Sequence, residues 1–512
     1  MTCTITCITA REPDRMLRAA MAALGRGSQL VELRLDALDE PAAGVSRIAS
    51  KLPAGKWIAT LRPTGQGGSS ELPDDVRAEL LNRCAQAGAG WVDCERTAIG
   101  AMGVRLLQHT DTGPCGVIVS DHFFDGDPRD YRDVVDRMAA DAPGAVVKVA
   151  WAIDDAAENL TALDICRSAP GRRVAVCMGE KGLMSRVLAK KCQSFGTYCA
   201  DLDGHATAPG QITLSALGDL YGFDRQTAGT KVYGVIGSPV AHSLSPLVFN
   251  AQFQRDGVDA VYLPIRIDDA DELTRFLDGC RDADWLDASG FSVTLPHKHS
   301  ALAWADWCDP LARRIGAANT LKRDAGLWRA LNTDYGGLID AVAAGLRADA
   351  GAIGRMRAVV LGAGGVARAA VAGLCDQGCD VTIYNRTAGR AEALADAFGC
   401  TFRPWSERSG LSADLIVNCT RVGLWPEVDD TPLDAAAIPP NAVVMDTVYR
   451  PVRTRLLGDA RQRGCVTIDG VEMFVRQAAR QYAIWQQGEM DLDNARAVVL
   501  DALAGEQTGG SS

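Results

Sequence analysis

The sequence predicts an α/β protein in two halves: an N-terminal TIM (β/α)8 barrel, then a two-part segment that ends in a Rossmann dinucleotide-binding fold. Three observations predict it. From the start to about residue 221, short β-prone runs alternate with polar or Ala-rich helical stretches, and eight such runs can be counted. The length of 512 residues exceeds what one hydrophobic core organises. At Met356 the chain restarts with RAVVLGAGGVARAAVAGL, a strand, a Gly-rich turn and a helix.

The barrel strands, in order, are CTITCIT, QLVELRLDAL, KWIATLR, GWVDCER, CGVIVSDHF, AVVKVAWAI, RRVAVCMG and GTYCADL. Polar or soft residues recur at their C-terminal ends: Glu32 and Arg34, Arg62, Glu95, His122, Lys148 and Met178. A barrel builds its active site on that rim. Any one of these alone reads as a solvated strand end, and their repetition argues against that reading. Lys148 is the most informative, because AVVKVAW should be buried on both faces. A lysine there is costly unless used. Desolvation lowers its pKa and frees an amine that can condense with a ketone as an iminium. His122, in SDHFF one βα unit earlier, supplies a proton acceptor and donor.

The polar stretch GFDRQTAGT precedes a new strand, KVYGVIG. The expected division is a barrel over 1–222, a linker over 223–231, a substrate domain over 232–335, the dinucleotide-binding domain over 336–470, C-terminal helices over 471–505 that pack back on the substrate domain, and a flexible tail over 506–512. In VVLGAGGVARAAV, Gly362, Gly364 and Ala367 match the G-x-G-x-x-G/A turn, with Ala363, Gly365 and Val366 between them. Such glycines let backbone amides approach a pyrophosphate at a helix N-terminus. The next strand ends in YNRTAGR, where an NAD-specific fold would carry an acidic residue. Asn385, Arg386 and Thr387 stand there instead, and arginine pairs with a 2′-phosphate, so NADP is the expected cofactor.

Net charge of -11 disfavours attraction to nucleic acid or an anionic membrane and favours small-molecule partners. The 16 cysteines lack a CxxC pair or zinc-type spacing, so no metal site is expected and the thiols read as reduced, in a cytoplasm. The N-terminus lacks the basic-then-apolar run of a signal peptide, and no membrane-spanning stretch follows.

Through ELRLD, TLR, SDHFF, the lysine strand, CMGEKGLMSRV and APGQ, nearly the whole first half resembles the type I 3-dehydroquinate dehydratases. The resemblance makes Lys148 the Schiff-base lysine, His122 the general acid/base and Arg186 the clamp on the substrate carboxylate. It gives ring hydroxyls to Glu32, Arg34, Arg62 and Gln211, and a hydroxyl contact to Thr207, where the family often has serine. The family usually has a glutamate where Gln66 stands, so the partner that orients His122 is open, with Glu95 and Glu71 as candidates.

KVYGVIGSPVAHSLSPLVFN, GFSVTLPHK, IGAANTL, LNTDYGG, NCTRVGLWP, DTVYRP and DGVEMFVRQAA resemble the shikimate dehydrogenases in sequence and order. The resemblance makes Ser243 and Ser245 donors to the substrate carboxylate and Lys298 with Asp334 the pair beside the reacting oxygen. Asn319 and Gln477 contact substrate hydroxyls, and Thr294, Asn250 and Tyr449 line the pocket. Thr420 and Met473 fall to the cofactor site. Ser292, where many single-domain relatives have asparagine, resembles the plant-type fused enzymes, and Arg421 replaces a commoner serine.

The two resemblances describe consecutive steps, because the product of the first, 3-dehydroshikimate, is the substrate of the second, which reduces it to shikimate. That coherence is the strongest sequence argument for function. Two rival readings remain: a second half acting mainly as a quinate dehydrogenase, since quinate differs by one hydroxyl, and a catalytically silent metabolite sensor on the same folds. A generic Schiff-base aldolase leaves CMG, SRV and APGQ unexplained.

Overall fold

The computed structural model describes residues 2–98, 115–125, 129–201, 210–347 and 350–509. They form two compact units, one of residues 1–231 with 259–267 and 274–287, the other of residues 232–258, 268–273 and 288–512.

All eight anticipated barrel strands form: β1 (Cys3–Ile8), β2 (Leu30–Arg34), β3 (Trp57–Thr60), β4 (Trp91–Glu95), β5 (Gly116–Phe123), β6 (Val146–Ala152), β7 (Arg173–Met178) and β8 (Gly196–Ala200). They pair in parallel in the order β7-β6-β5-β4-β3-β2-β1-β8, the order of a (β/α)8 barrel. Successive side chains on a strand face opposite ways, so parity sorts each strand into an inward and an outward set. The inward set packs Ile5, Leu30, Ile58, Ile118, Val146, Val174 and Tyr198 into one core. Continuing the same parity toward the strand C-termini places Glu32, Asp93, Glu95, Ser120, His122 and Lys148 inside as well. The barrel is apolar at one end of its interior and charged at the other, and the sequence alternation dictates both.

In the second unit, β9 (Lys231–Gly237; from Val232 onward in this unit) lies parallel to β11 (Ala288–Val293); β10 (Ala260–Arg266), between them in the chain, belongs to the first unit. Then come β12 (Trp307–Cys308), β13 (Thr320–Asp324) and β14 (Leu327–Leu331), with β11 and β14 both antiparallel to β13. The helix Gly470–Gln486 packs on this sheet through Trp485, whose indole N–H donates to the Leu321 carbonyl at 3.0 Å. A second sheet is parallel throughout: β15 (Arg357–Leu361), β16 (Asp380–Asn385), β17 (Thr401–Pro404), β18 (Leu415–Asn418), β19 (Val443–Asp446) and β20 (Val466–Ile468), ordered β17-β16-β15-β18-β19-β20. Ala358 and Val360 enter one core and Val359 and Leu361 another, so this sheet is covered on both faces. The order reverses beside β15, and ligands of open α/β sheets bind at such a switch point.

Candidate active sites

Lys148 is only 6% exposed, and its Nζ is met on several sides. Asp93 Oδ2 lies at 3.2 Å, Glu32 Oε1 at 3.5 Å, and the centroid of the Tyr198 ring at 3.8 Å. Asp93 also receives Arg62 at 2.9 Å and the Ser120 hydroxyl at 2.6 Å. Glu95 pairs with Arg62 at 2.9 Å and with Arg77. The cations Arg62, Arg77 and Lys148 thus face the carboxylates Glu32, Asp93 and Glu95 in equal number, all buried. Burial alone would raise both acids, but Arg62 and Lys148 hold the Asp93 carboxyl well below the usual range, and Lys148 and Arg34 hold Glu32 below it.

Arg186 breaks the balance. It is buried on the wall of the same cavity, yet among the described residues no carboxylate pairs with it and its Nε has no hydrogen-bond partner. Burial pulls its guanidinium below the ordinary arginine value, with only thiols nearby to oppose. An unpaired buried cation calls for an anion. The cavity, about 120 Å³, is also lined by His122, Gln66, Phe124, Met178 and Gln211.

Gln66 is the residue that meets the His122 ring nitrogen among those described. A short 3-10 turn, Thr64–Gln66, brings its side chain over the histidine, where Oε1 accepts from the His122 backbone N–H at 2.8 Å and lies 3.2 Å from Nδ1. Its Nε2 donates to Asp121 Oδ1 at 3.1 Å, which fixes the amide orientation. An accepting Oε1 requires the proton on Nδ1 and leaves the lone pair on Nε2 of the ring. Burial first, then Arg62 and Lys148, lower the His122 pKa well below its ordinary value, so the ring is neutral at neutral pH. Glu95 is turned to Arg62 and Arg77, and Glu71 is exposed.

Of the other anticipated barrel residues, Glu32, Arg34, Arg62 and Gln211 all line the cavity. Arg34 is clamped by Asp36, at 3.0 and 2.8 Å, and Arg62 by Asp93 and Glu95. Thr207 lies outside the described residues. Asp93, Tyr198 and Gln66 in its orienting place were not anticipated. Asp93 shares the inward parity of Glu95, a signal available in the sequence; Tyr198 reads there as an ordinary core aromatic.

The second unit has its own lysine centre. Lys298 Nζ is 2.5 Å from Asp334 Oδ2, and both residues are buried. Asn319 Nδ2 donates to Asp334 Oδ1 at 2.9 Å and lies 3.5 Å from Gln477 Oε1. Gln481 on the same helix as Gln477 donates to the Asn319 carbonyl and the Thr320 hydroxyl, each at 3.0 Å, and takes the Ser292 hydroxyl at 2.7 Å. Ser292 therefore serves a structural network. Ser243 and Ser245 adjoin at the start of the helix Ser245–Arg255, where the Ser245 amide donates to Ser243 Oγ at 3.3 Å, and Asn250 is buried on that helix. Thr294 follows β11, with its amide on the Ile236 carbonyl at 2.9 Å. Tyr449 packs at 5.2 Å from the Phe474 ring, one residue beyond the buried Met473.

The Gly-rich turn lies against this centre. A Cβ on Gly365 would stand 3.1 Å from Lys298 Cδ, and one on Gly362, at φ +113°, would stand 3.1 Å from the Cys419 carbonyl oxygen and 3.3 Å from Thr420 Cγ2. Around Gly364 there is open space. The helix Gly365–Asp376 has no side-chain cap, so its first amides are free to face a phosphate there; Ala363 and Val366 are half-buried and Ala367 is in the core. Arg386 and Thr387 are exposed just beyond β16, and Asn385 Nδ2 donates to the Thr387 carbonyl at 2.9 Å. These residues fit a dinucleotide phosphate, and Arg386 is an exposed cation at the end of β16. No group of residues suited to hold a metal occurs among those described.

Comparison with known proteins finds three family models along the chain: type I 3-dehydroquinase over residues 4–228, shikimate dehydrogenase substrate binding domain over 235–321, and shikimate/quinate 5-dehydrogenase over 346–421. A bifunctional 3-dehydroquinate dehydratase/shikimate dehydrogenase, chloroplastic, of Arabidopsis thaliana is 34% identical over 490 residues, covering 92% of this chain and 80% of that protein. A shikimate dehydrogenase (NADP(+)) of Syntrophobacter fumaroxidans is 41% identical over 264 residues, 50% of this chain and 87% of that one. A crystal structure of a shikimate dehydrogenase in complex with NADP+ is 32% identical, with a TM-score of 0.51 over 54% of this chain and 97% of that one.

Proposed function

The chain belongs to the family of bifunctional 3-dehydroquinate dehydratase/shikimate dehydrogenases, and from that premise we propose how its residues divide the work: Lys148 dehydrates 3-dehydroquinate through a Schiff base, and Lys298 with Asp334 handles the proton as 3-dehydroshikimate is reduced to shikimate. The enzyme is a lyase and an NADP-dependent oxidoreductase of the shikimate pathway. The observation that carries the division is the Arg186 guanidinium, which pairs with no carboxylate among the described residues, in the cavity that also holds Lys148 and His122. It supplies a place for a carboxylate beside an amine and a base.

In the barrel, Lys148 Nζ attacks the ketone carbon, and loss of water leaves a C=N bond with the positive charge on nitrogen. His122 Nε2 removes the proton from the neighbouring carbon, and the electron pair enters the C=N system. It returns to form the ring double bond as the tertiary hydroxyl leaves, protonated by the same histidine. Water then hydrolyses the iminium, releasing 3-dehydroshikimate and Lys148. Arg186 holds the carboxylate, and Glu32, Arg34, Arg62, Gln211 and Thr207 hold ring hydroxyls. Reduction with borohydride in the presence of 3-dehydroquinate tests this step: a mass increase on the peptide that contains Lys148 is expected, and its absence would overturn the Schiff base.

In the second half, Lys298 protonates the developing alkoxide while Asp334 and Asn319 keep the ammonium aimed. Ser243 and Ser245 hold the carboxylate, Asn319 and Gln477 the hydroxyls, with Thr294 and Tyr449 on the pocket wall. Bound NADPH would supply the hydride; Gly362 to Ala367 would hold its pyrophosphate, Asn385, Arg386 and Thr387 its 2′-phosphate side, and Thr420 and Met473 its nicotinamide end. Arg386→Ala should raise the KM for NADPH by about 10–100-fold, as expected for one charged hydrogen-bonding partner, and leave the KM for NADH unchanged. Steady-state kinetics with both nucleotides reads this directly.

Gln66 offers a test of the histidine assignment. With glutamate at this position, a negative charge would face Nδ1 and favour the protonated ring, so the His122 pKa rises. Since the neutral ring is the base, Gln66→Glu should move the acid limb of the dehydratase kcat/KM profile to higher pH and cost about tenfold at its low-pH end. An unmoved limb would exclude His122 as the titrating base.

No helix among the described residues is long and apolar enough to cross a membrane. A cytoplasmic setting and the absence of nucleic-acid partners belong to the same proposal, supported by 16 free thiols and a net charge of -11.

A further inference from the structure

Tyr198 stands on β8 with its side chain among the inward set, 5% exposed, on the wall of the barrel cavity. Two features set it apart from a core aromatic. Its hydroxyl is buried with no hydrogen-bond partner among the described residues, and its ring face lies against Lys148 Nζ at 3.8 Å from the centroid. A buried phenol without a partner is unfavourable. Phenylalanine would fill the same space without that penalty, so packing alone gives no reason for the oxygen.

We propose that Tyr198 is a substrate-contacting residue of the dehydratase site: its ring face carries the positive charge of the Lys148 nitrogen through the covalent stage, and its hydroxyl donates to the substrate oxygen at the carbon that Lys148 attacks. This rests on the Schiff-base role of Lys148. The ring lies against Nζ on the wall of the cavity, and on this proposal its hydroxyl stands beside the oxygen of the ketone that Nζ meets. As the N–C bond forms, the carbonyl π pair moves onto oxygen, and the negative charge gathers there. A hydroxyl donor strengthens its bond as that charge grows. The oxygen next departs as water, carrying one proton from the attacking nitrogen and one that His122 took from the Lys148 ammonium, while the nitrogen lone pair makes the C=N bond; the charge left on nitrogen lies over the electron-rich ring and beside Asp93 and Glu32. Burial first, then Glu32 and Asp93, push the phenol well above its ordinary value, so it acts as a neutral donor and not as a phenolate.

The test uses the full-length chain and the variants Tyr198→Phe and Tyr198→Leu, with 3-dehydroquinate as substrate. Tyr198→Phe should lower the dehydratase kcat by about 10–100-fold with a smaller change in KM, because the contact tightens only as charge develops. Thermal stability of the ligand-free protein should stay level or rise, since the buried hydroxyl has no partner to lose. A purely structural hydroxyl would give the opposite pair: lower stability, unchanged kcat. Tyr198→Leu removes the ring as well and should further reduce the borohydride-trapped adduct at Lys148. A Tyr198→Phe enzyme within twofold of the parent in kcat, with the adduct still trapped, would overturn the inference alone. A parent enzyme that traps no adduct would overturn both the inference and the Lys148 reading beneath it.

Discussion

Replacing Lys148 with methionine should abolish dehydration of 3-dehydroquinate, lowering kcat by about 10⁴-fold or more, while reduction of 3-dehydroshikimate by the same chain proceeds at the parent rate. The size follows from losing the amine that bonds the ketone carbon; among the described residues lining the cavity there is no second lysine, and the Arg62 guanidinium, bound to Asp93 and Glu95, is a poor nucleophile. Methionine keeps the volume of the side chain. Asp93 retains Arg62 at 2.9 Å and Ser120 at 2.6 Å, so the carboxylate is not left bare. Glu32 retains the Thr60 hydroxyl at 3.0 Å. The dehydrogenase rate and a thermal melt of the variant separate loss of chemistry from loss of fold. Residual dehydration within a hundredfold of the parent would mean that a general acid/base route without a covalent bond carries the reaction.

The second large effect belongs to the other lysine. Lys298→Met should lower kcat for ketone reduction by about 10²–10⁴-fold, the usual worth of a positioned proton donor, and leave dehydration intact. Asp334→Asn should fall in the same range for a different reason. An asparagine can still accept from Asn319 through its oxygen, but its NH2 then faces the Lys298 ammonium at a position where the carboxylate sat 2.5 Å away, and the lysine is pushed off its aim. Steady-state rates with 3-dehydroshikimate and NADPH check both. If Asp334→Asn keeps a parent kcat, the aspartate does not aim the lysine.

The sequence makes the barrel legible because its pattern repeats: eight strands recur with polar residues at matching ends, and all eight form. Lys148 stands out because a charge in a fully apolar run needs a partner or a use. What covers that charge is harder to read. Asp93 follows from parity with Glu95, two residues on, but only the ladder register places β4 within reach of β6 across β5. Gln66 is visible as a departure from the family's glutamate, yet only the turn over Thr64–Gln66 shows that its amide reaches the same histidine. Tyr198 carries no signal at all in GTYCADL, because a β-prone aromatic between small residues is what any buried strand contains. In the second half, the Gly-rich turn is local and therefore legible, whereas Asn319 and Gln477 are 158 positions apart and meet only through the packing of the C-terminal helix.

One chain carries both steps of the sequence. The most direct test feeds the purified protein 3-dehydroquinate with NADPH, follows absorbance of the nucleotide, and identifies the product. NADPH oxidation with shikimate as the product is expected, and the same product from 3-dehydroshikimate. NADPH oxidation that yields quinate from 3-dehydroquinate, or none from either substrate, would contradict it.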